Sequence, residues 1–195
     1  LDVAGHEMAH GVTSRTANLT YSGESGGLNE ATSDIFGSVV EFYANNASDP
    51  GDYLVGEKLY KSNPSGTKAL RYMFKPFQDT KSPDCYTGTI GSLDVHYSSG
   101  VANHFFYLLA EGPVVPAGFS LTQNDLVCNG NTALTAIGRD AAGKIWYRAL
   151  TVYMTSNTNY AGARTATLNA AIDLYGNGSA EYNAVAAAWS AVSVN

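Results

Sequence analysis

The chain has 195 residues, of which 45% are hydrophobic and 14% are charged, and its formal net charge at pH 7 is -6. A chain of this length and composition can bury one substantial core, so one domain is expected over residues 1–195. The acidic balance argues against nucleic acid and membranes as partners, and no apolar run is long enough to cross a bilayer.

The predicted elements are mainly helical. A first helix is expected from about Asp2 to Arg15 and a second from about Leu28 to Asn45, joined by a glycine-rich connection at 21–27. A shorter helix is expected near Val55 to Lys61. Residues 62–97 are rich in Pro, Gly, Ser and Lys, and they indicate a long functional loop with little regular structure.

Four apolar stripes with helical spacing follow, and each predicts a helix packed on the core. They lie in 101–109, 145–153, 168–175 and 182–192, and the third consists of Leu168, Ala171, Ile172 and Tyr175. Gly176 and Gly178 predict the break between the last two helices. His104 lies within the first stripe and is expected on the surface rather than as a ligand.

The first predicted helix contains the pattern H-E-x-x-H, formed by His6, Glu7 and His10. Residues four apart share one helix face, so the two imidazoles can bind one ion. Glu7 lies beside that face, where it can hydrogen-bond a water on the ion and act as general base. The chain has only four histidines, so this spacing around a glutamate is improbable by chance and predicts a zinc site.

A catalytic zinc ion takes three protein ligands and leaves one position open, so a third ligand must come from elsewhere. The second predicted helix offers Glu30 and Asp34, one turn apart on one face. One carboxylate is expected to bind the ion and the other to orient a ligand, and Asp34 suits the second role behind His6. The alternative is a solvated acidic stripe.

Loop residues supply three further candidate features. Asp94 can orient the ring of His96, which makes His96 a candidate donor to a developing oxyanion; the alternative is a histidine bonded within its loop. Cys85 and Cys128 can close one disulfide in an oxidising compartment, with free thiols as the alternative. The candidate calcium ligands, with surface charge as the alternative, are Asp2, Glu41, Asp49, Asp52 and Glu57.

Several motifs occur in an order that is typical of one family. They are HEMAH at 6–10, GGLNEATSDIFG at 26–37, LDVHYSSG at 93–100 and AIGRDAAGKIWYRAL at 136–150. With them the chain closely resembles the thermolysin-like family of neutral zinc metalloendopeptidases from Asp2 to Asn195. Metzincins are excluded, because Thr13 and Thr16 stand where their glycine and third histidine would be. Zinc aminopeptidases are the weaker alternative, since nothing else in the chain resembles them.

The resemblance implies a complete catalytic site. The implied zinc ligands are His6, His10 and Glu30. Glu7 is the implied base and proton shuttle, Asp34 lies behind His6, and Asn29 lies behind His10 through its side chain or its carbonyl. His96 is the implied transition-state histidine and Tyr21 its partner. The family's supporting aspartate falls at Gly91 in this sequence, so Asp94 is expected to substitute for it.

The resemblance also implies a substrate site. Arg71 matches the arginine that binds the substrate carbonyl. The walls of the hydrophobic pocket on the leaving-group side match Val3, Val55 and Leu70, which implies cleavage on the amino side of large hydrophobic residues. A core role is the alternative for each of these three residues.

One structural calcium ion is implied in addition to the zinc ion. The matching carboxylates are Asp2, Glu41, Asp52 and Glu57. Leu54 stands where the family has a ligating glutamate and offers only its carbonyl, so one ion is expected rather than a close pair. Lys68 replaces an aspartate of another calcium site, which is therefore expected to be absent. The ion would tie the first helix to the loop after the second.

The family's catalytic unit has two lobes, and the chain resembles the mainly α C-terminal lobe without its β-rich N-terminal partner. The implied function is a secreted zinc metalloendopeptidase that acts on proteins or peptides. The lobe alone is expected to have little activity, because substrate positioning supplies much of the rate enhancement. The alternative is a non-enzymatic metal-binding lobe held by a proteinaceous inhibitor or another protein. Because the family cuts on the amino side of large apolar residues, the bond before Leu1 is a candidate site of self-cleavage.

Overall fold

Helices dominate the computed structural model, which describes residues 1–195, so the mainly α prediction is confirmed. The helices are α1 (Asp2–Ser14), α2 (Gly23–Ala44), α3 (Val95–Ser98), α4 (Gly100–Glu111), α5 (Arg139–Arg148), α6 (Tyr160–Tyr175) and α7 (Ala180–Ala191). The strands β1 (Leu54–Val55) and β2 (Arg71–Tyr72) pair in antiparallel fashion. Shorter helical turns are Glu57–Leu59, Pro76–Asp79, Ile90–Ser92, Gln123–Leu126 and a π-helical turn, Ala149–Tyr153. None of the helices combines the length and hydropathy needed to span a bilayer.

The core is centred on α4, whose residues from Gly100 to Ala110 are all buried. Phe105 of α4 stacks on Trp189 of α7, with their ring centroids 3.8 Å apart. The Trp189 indole N–H donates to Thr167 Oγ1 of α6 at 2.8 Å, so the bulky ring is buried without an unpaired polar group. Helices α4, α6 and α7 are therefore held together by aromatic packing and a buried hydrogen bond.

The helices α1 and α2 cross at two glycines, Gly5 and Gly37, which have no side chains. A Cβ atom added to Gly37 would lie 2.5 Å from the Asp2 carbonyl oxygen and 3.2 Å from the His6 backbone nitrogen. A Cβ atom on Gly5 would lie 3.0 Å from Gly37 Cα. Two glycines thus let the backbones approach closely, and this approach brings His6 on α1 opposite Glu30 on α2.

The second helix begins earlier than the sequence predicts, at Gly23 rather than near Leu28. The glycine-rich connection predicted at 21–27 therefore forms the first turns of α2. Glycine disfavours a helix in isolation, but tertiary packing overrides this preference here. A Cβ on Gly27 would lie 2.5 Å from Ser98 Oγ, so the glycine allows α2 to pass close to α3. The first helix ends at Ser14, within one residue of its predicted end.

The prediction of a helix from Val55 to Lys61 is wrong. Val55 pairs with Arg71 in the small sheet, and only Glu57–Leu59 form a helical turn. Gly56 between them has φ 77°, a left-handed conformation that interrupts a right-handed helix. The loop predicted at 62–97 is confirmed in outline, although it also contains β2 and the start of α3.

Two residues are placed otherwise than predicted. In α6, Ala171 is buried and Leu168 and Tyr175 pack against the core as predicted, but Ile172 is exposed, and small residues such as Ala163 and Ala170 complete the buried face. His104 is fully buried rather than on the surface. Its Nδ1 lies 2.9 Å from the Asp84 carbonyl oxygen and its Nε2 lies 2.8 Å from the Leu126 carbonyl oxygen.

Candidate metal centre and catalytic site

Three side chains from α1 and α2 converge on one point. His6 Nε2 lies 3.5 Å from Glu30 Oε2, and His10 Nε2 lies 3.4 Å from Glu30 Oε1. Adjacent ligand atoms of a tetrahedral zinc ion with bonds of about 2.0–2.1 Å are roughly 3.3–3.4 Å apart, so these spacings suit that ion. Glu30 is fully buried and its Oε2 has no hydrogen-bond partner, which a cation would supply. The donor set and its spacing fit zinc.

The second nitrogen of each imidazole is held by a residue of α2. His6 Nδ1 lies 2.8 Å from Asp34 Oδ1, and His10 Nδ1 lies 2.9 Å from Asn29 Oδ1. The Asn29 amide nitrogen donates to the Leu19 carbonyl at 2.8 Å, which turns its oxygen toward His10. Both rings therefore carry their proton on Nδ1 and direct a lone pair on Nε2 toward Glu30.

Asp34 joins the candidate metal centre to Arg71 of β2. Its two oxygens accept hydrogen bonds from Arg71 Nη2 and Nε, both at 2.7 Å. Burial opposes ionisation of Asp34, but Arg71 and His6 outweigh it and hold the pKa of Asp34 well below its ordinary value. Burial likewise favours the neutral ring of His6, yet Asp34 and Glu30 raise the pKa of His6 overall. Asp34 is therefore a permanent anion at neutral pH.

Asn103 is a partner of Asp34 that sequence reasoning missed. Its amide nitrogen donates to Asp34 Oδ2 at 2.7 Å from within α4. Its signal in the sequence is weak: it is a polar residue, 1% exposed, in the most apolar stripe of the chain. A buried amide in such a helix requires a polar partner, and Asp34 is that partner.

The remaining candidate catalytic groups line the open side of this centre. Glu7 is exposed on α1, next to His6. The Tyr21 hydroxyl donates to Glu30 Oε1 and lies 3.2 Å from His96 Nε2. Burial and the Glu30 carboxylate raise the pKa of Tyr21, so the phenol stays protonated. Asp94 Oδ1 lies 2.7 Å from His96 Nδ1, which leaves Nε2 facing the centre.

Arg71 and Leu70 form the edge of a cavity beside this centre. The Leu70 backbone N–H donates to the Val55 carbonyl at 2.8 Å, so pairing of the two strands brings both residues together. Val55 is buried, Val3 is half-buried on α1 and Leu70 is 43% exposed. The cavity measures about 310 Å³, and its lining residues are Leu70, Arg71, Asp79, Lys81, His96 and Tyr97.

A second group of carboxylates lies where α1 meets the loop after α2. One oxygen from each of Asp2, Glu41 and Glu57 lies within 4.8 Å of the others, and all three residues are buried. Glu41 Oε1 and Glu57 Oε2 have no hydrogen-bond partner. Burial, with the neighbouring Asp2 charge, raises the pKa of both glutamates to about 7. Buried oxygens without donors suit a hard cation such as calcium.

Two other predicted members of this group are placed differently. Asp52 is not among the three converging residues; its Oδ1 accepts the Leu54 backbone N–H at 2.7 Å. Its own backbone N–H donates to Glu41 Oε2 at 3.3 Å, so Asp52 borders the group. Leu54 is buried in β1, and its side chain contributes no oxygen. Elsewhere, Cys85 and Cys128 form a disulfide with their Cα atoms 6.0 Å apart.

Comparison with known proteins decides the family. The family model described as "Thermolysin metallopeptidase, alpha-helical domain" matches residues 17–194. This chain belongs to the thermolysin metallopeptidase family. As the α-helical lobe of that family, it is 57% identical to a transglutaminase-activating metalloprotease of Streptomyces mobaraensis and 43% identical to a bacillolysin of Bacillus caldolyticus. Both matches cover 100% of this chain.

The relatives of this thermolysin-family lobe are longer proteins. The chain spans 25% of the Streptomyces protein and 33% of the bacillolysin. A solved precursor of protealysin, a metalloproteinase from Serratia proteamaculans, matches with a TM-score of 0.71 at 30% identity. That match covers 100% of this chain and 57% of the protealysin chain.

Proposed function

We propose that this chain is the zinc-bearing lobe of a secreted metalloendopeptidase that hydrolyses peptide bonds on the amino side of large hydrophobic residues. The convergence of His6, His10 and Glu30, with Nε2 to Oε separations of 3.5 and 3.4 Å and an orphaned buried oxygen on Glu30, supports this most directly. Family membership supports the class of reaction.

The residues of the centre suit peptide hydrolysis. A zinc ion held by His6, His10 and Glu30 would supply Lewis acidity to a water molecule and to the scissile carbonyl. Glu7 accepts a proton from the attacking water and passes it to the leaving amine. His96, oriented by Asp94, donates a hydrogen bond to the developing oxyanion, and the Tyr21 hydroxyl does the same once it turns from Glu30.

The substrate residues suit an extended peptide. Arg71 uses Nε and Nη2 on Asp34, so its Nη1 can donate to a substrate carbonyl oxygen. Val3, Val55 and Leu70 are proposed walls of the pocket for the hydrophobic residue after the scissile bond. Leu70 is the exposed member of the three, and its apolar surface would be covered by that residue.

An N-terminal lobe is the proposed partner of this chain, and a large apolar surface supports it. The outer face of α1 forms a cavity of about 540 Å³ with α2 and Tyr147. Met8 on this face is 78% exposed. Exposed apolar residues that cluster on one helix face can mark an interaction surface. The longer relatives carry additional chain that can cover it, and we propose that the isolated lobe has little activity without that cover.

A structural calcium ion and secretion complete the proposal. The unpartnered oxygens of Glu41 and Glu57 support one ion at the junction of α1 and the loop after α2, with Asp2 as third ligand and with Asp52 and the Leu54 carbonyl at its border. The disulfide between Cys85 and Cys128 supports an oxidising, extracellular environment.

The decisive experiment compares the chain with and without its N-terminal lobe, in the presence of zinc and calcium. The substrates are peptides with a Leu or Phe immediately after the scissile bond. We expect cleavage before the large apolar residue with both lobes and little cleavage by this chain alone. Glu7→Gln should bind one zinc ion per chain but lose cleavage by at least about 100-fold, as the loss of a general base does. Glu181→Gln on α7 is the matched control. Full activity of Glu7→Gln, or no zinc binding, would contradict the proposal.

A further inference from the structure

One wall of the cavity beside Arg71 and His96 consists of residues outside the proposed catalytic and substrate sites. Lys81 and Tyr97 form this wall, and the Lys81 ammonium donates to the Tyr97 hydroxyl at 2.9 Å. The same ammonium lies 5.0 Å from the centre of the Tyr97 ring. The phenol thus holds the flexible lysine at the edge of the cavity that Arg71 also lines.

The cavity has more free hydrogen-bond donors than acceptors. Lys81 forms no ion pair, and only one of its three N–H groups has a protein partner. Asp79 is the carboxylate in the lining, but its oxygens accept hydrogen bonds from the Lys81 and Ser82 backbone N–H groups and from the Ser82 hydroxyl. Arg71 adds an unused Nη1. These donors lack a partner, and a negatively charged hydrogen-bond acceptor would supply one.

The cavity shares residues with the proposed substrate site. Arg71, His96 and Leu70 belong both to this lining and to the proposed substrate site. Leu70 is a proposed wall of the hydrophobic pocket on the leaving-group side, so the cavity that it also lines adjoins that pocket. A peptide that passes His96 and Arg71 would place a following residue at Lys81.

We propose that Lys81, positioned by Tyr97, selects a carboxylate on the leaving-group side of the scissile bond. This inference rests on the proposed function, which it extends from a hydrophobic residue to an acidic one further along the leaving peptide. The carboxylate comes either from an Asp or Glu side chain or from the free C-terminus of a short leaving peptide.

The test uses the two-lobed enzyme with zinc and calcium. Peptides would be identical except for Glu, Gln or Lys at the second position after the scissile bond, with amidated C-termini. A further pair would end at that position with a free or an amidated C-terminus. The values of kcat/KM would be compared for the wild type, Lys81→Met, Lys81→Glu and the control Lys144→Met, a lysine on α5 outside the cavity.

The expected result is a Glu over Gln preference of about two- to fivefold, typical of an exposed ion pair. This ratio should fall to one in Lys81→Met, reverse in Lys81→Glu, persist in Lys144→Met and shrink at high salt. Comparison of the peptides with free and amidated C-termini identifies whether Lys81 selects the side-chain carboxylate or the terminal one. An unchanged ratio in Lys81→Met overturns the inference.

A failure of catalysis is distinguishable from a failure of this inference. If no peptide is cleaved, the proposed function is wrong. The same Glu to Gln ratio can then be measured as dissociation constants on Glu7→Gln enzyme by calorimetry. Equal constants for the two peptides, with or without Lys81, would reject the inference independently of cleavage.

Discussion

Asp34 is the residue at which most of the polar contacts of the centre meet. One carboxylate of α2 orients His6 of α1, neutralises Arg71 of β2 and accepts the Asn103 amide of α4. Because the Arg71 guanidinium and the Asp34 carboxylate are both largely withdrawn from water, each depends on the other for compensation. The position of His6, a proposed metal ligand, and that of Arg71, a proposed substrate contact, are therefore linked through one side chain.

Replacing Asp34 by Asn should destabilise the lobe far more than the same change at an exposed pair. We expect Asp34→Asn to lower the free energy of unfolding by about 3–5 kcal/mol, because it leaves Arg71 as an uncompensated buried charge. Asp173→Asn is the control, since Asp173 also pairs with an arginine, Arg148, at 2.7 Å but on the surface. Its cost should be much smaller, because solvent screens this exposed pair. Urea unfolding of both variants would show equal losses if Asp34 were not the centre of this network.

His104 shows what a single buried imidazole can stabilise. Its two nitrogens face the carbonyl oxygens of Asp84 and Leu126, each within two residues of a disulfide cysteine. Burial lowers the pKa of His104, and the neutral ring has one N–H for these two acceptors. The ring thus bridges two loops from within α4, and its loss would expose both carbonyls to an apolar cavity.

His104→Leu should therefore be strongly destabilising. The neutral ring donates to one of the two carbonyls, and leaving that buried carbonyl without a donor costs about 1–3 kcal/mol, because leucine offers none. His96→Leu is the control, because His96 is exposed and its replacement should change stability by less than about 0.5 kcal/mol. The measurement is the urea midpoint at constant m-value. A small effect at His104 would mean that water replaces the ring between the two loops.

At the scale of elements, the metal site depends on how closely α1 and α2 approach each other. Gly37→Ala would place a Cβ 2.5 Å from the Asp2 carbonyl oxygen, a backbone atom that cannot rotate away. We expect a loss of about 1–3 kcal/mol of stability and a weaker affinity for zinc, because α1 must shift and carry His6 with it.

The control for this variant has the opposite expected sign. Gly143→Ala in α5 would place its Cβ 3.8 Å from Val39 Cγ2, an ordinary contact. It should stabilise the lobe by up to about 1 kcal/mol, since alanine favours a helix over glycine. Zinc titration against a chelator of known affinity, with thermal unfolding, would separate the two effects. Unchanged zinc affinity in Gly37→Ala would show that the crossing does not set the ligand positions.

Residue patterns predict the site better than they predict the elements around it. The spacing of His6 and His10, and of Glu30 and Asp34, predicts that each pair shares one helix face, whereas the convergence of the two pairs rests on the family resemblance. The early start of α2 at Gly23 and the break at Gly56 depend on contacts with α3 and on strand pairing, which are not local. Asn103 and Lys81 were missed because their partners lie 69 and 16 residues away in the sequence.

At the scale of the whole molecule, calcium would join distant parts of the chain. Adding EGTA at constant free zinc should lower Tm, because a ligand that binds only the folded state stabilises it by about 2.7 kcal/mol at one hundred times its Kd. Glu41→Gln should abolish the response to calcium, whereas Glu181→Gln on α7 should retain it. Thermal unfolding at several calcium concentrations tests this. A Tm independent of calcium in the wild type would rule out a structural ion.

The disulfide constrains the same molecule along another path. Cys85 lies in the loop that also carries Arg71 and Lys81, and it is joined to Cys128, 43 residues away. Closing a loop of this length removes chain entropy from the unfolded state worth about 4 kcal/mol in the loop-entropy model. We expect the paired variant Cys85→Ser with Cys128→Ser to lose about 2–4 kcal/mol of stability in urea. The wild type treated with reductant should match it, while the variant should not respond to reductant at all. Equal stability of oxidised and reduced wild type would show that His104 and the core already fix these loops without the covalent bond.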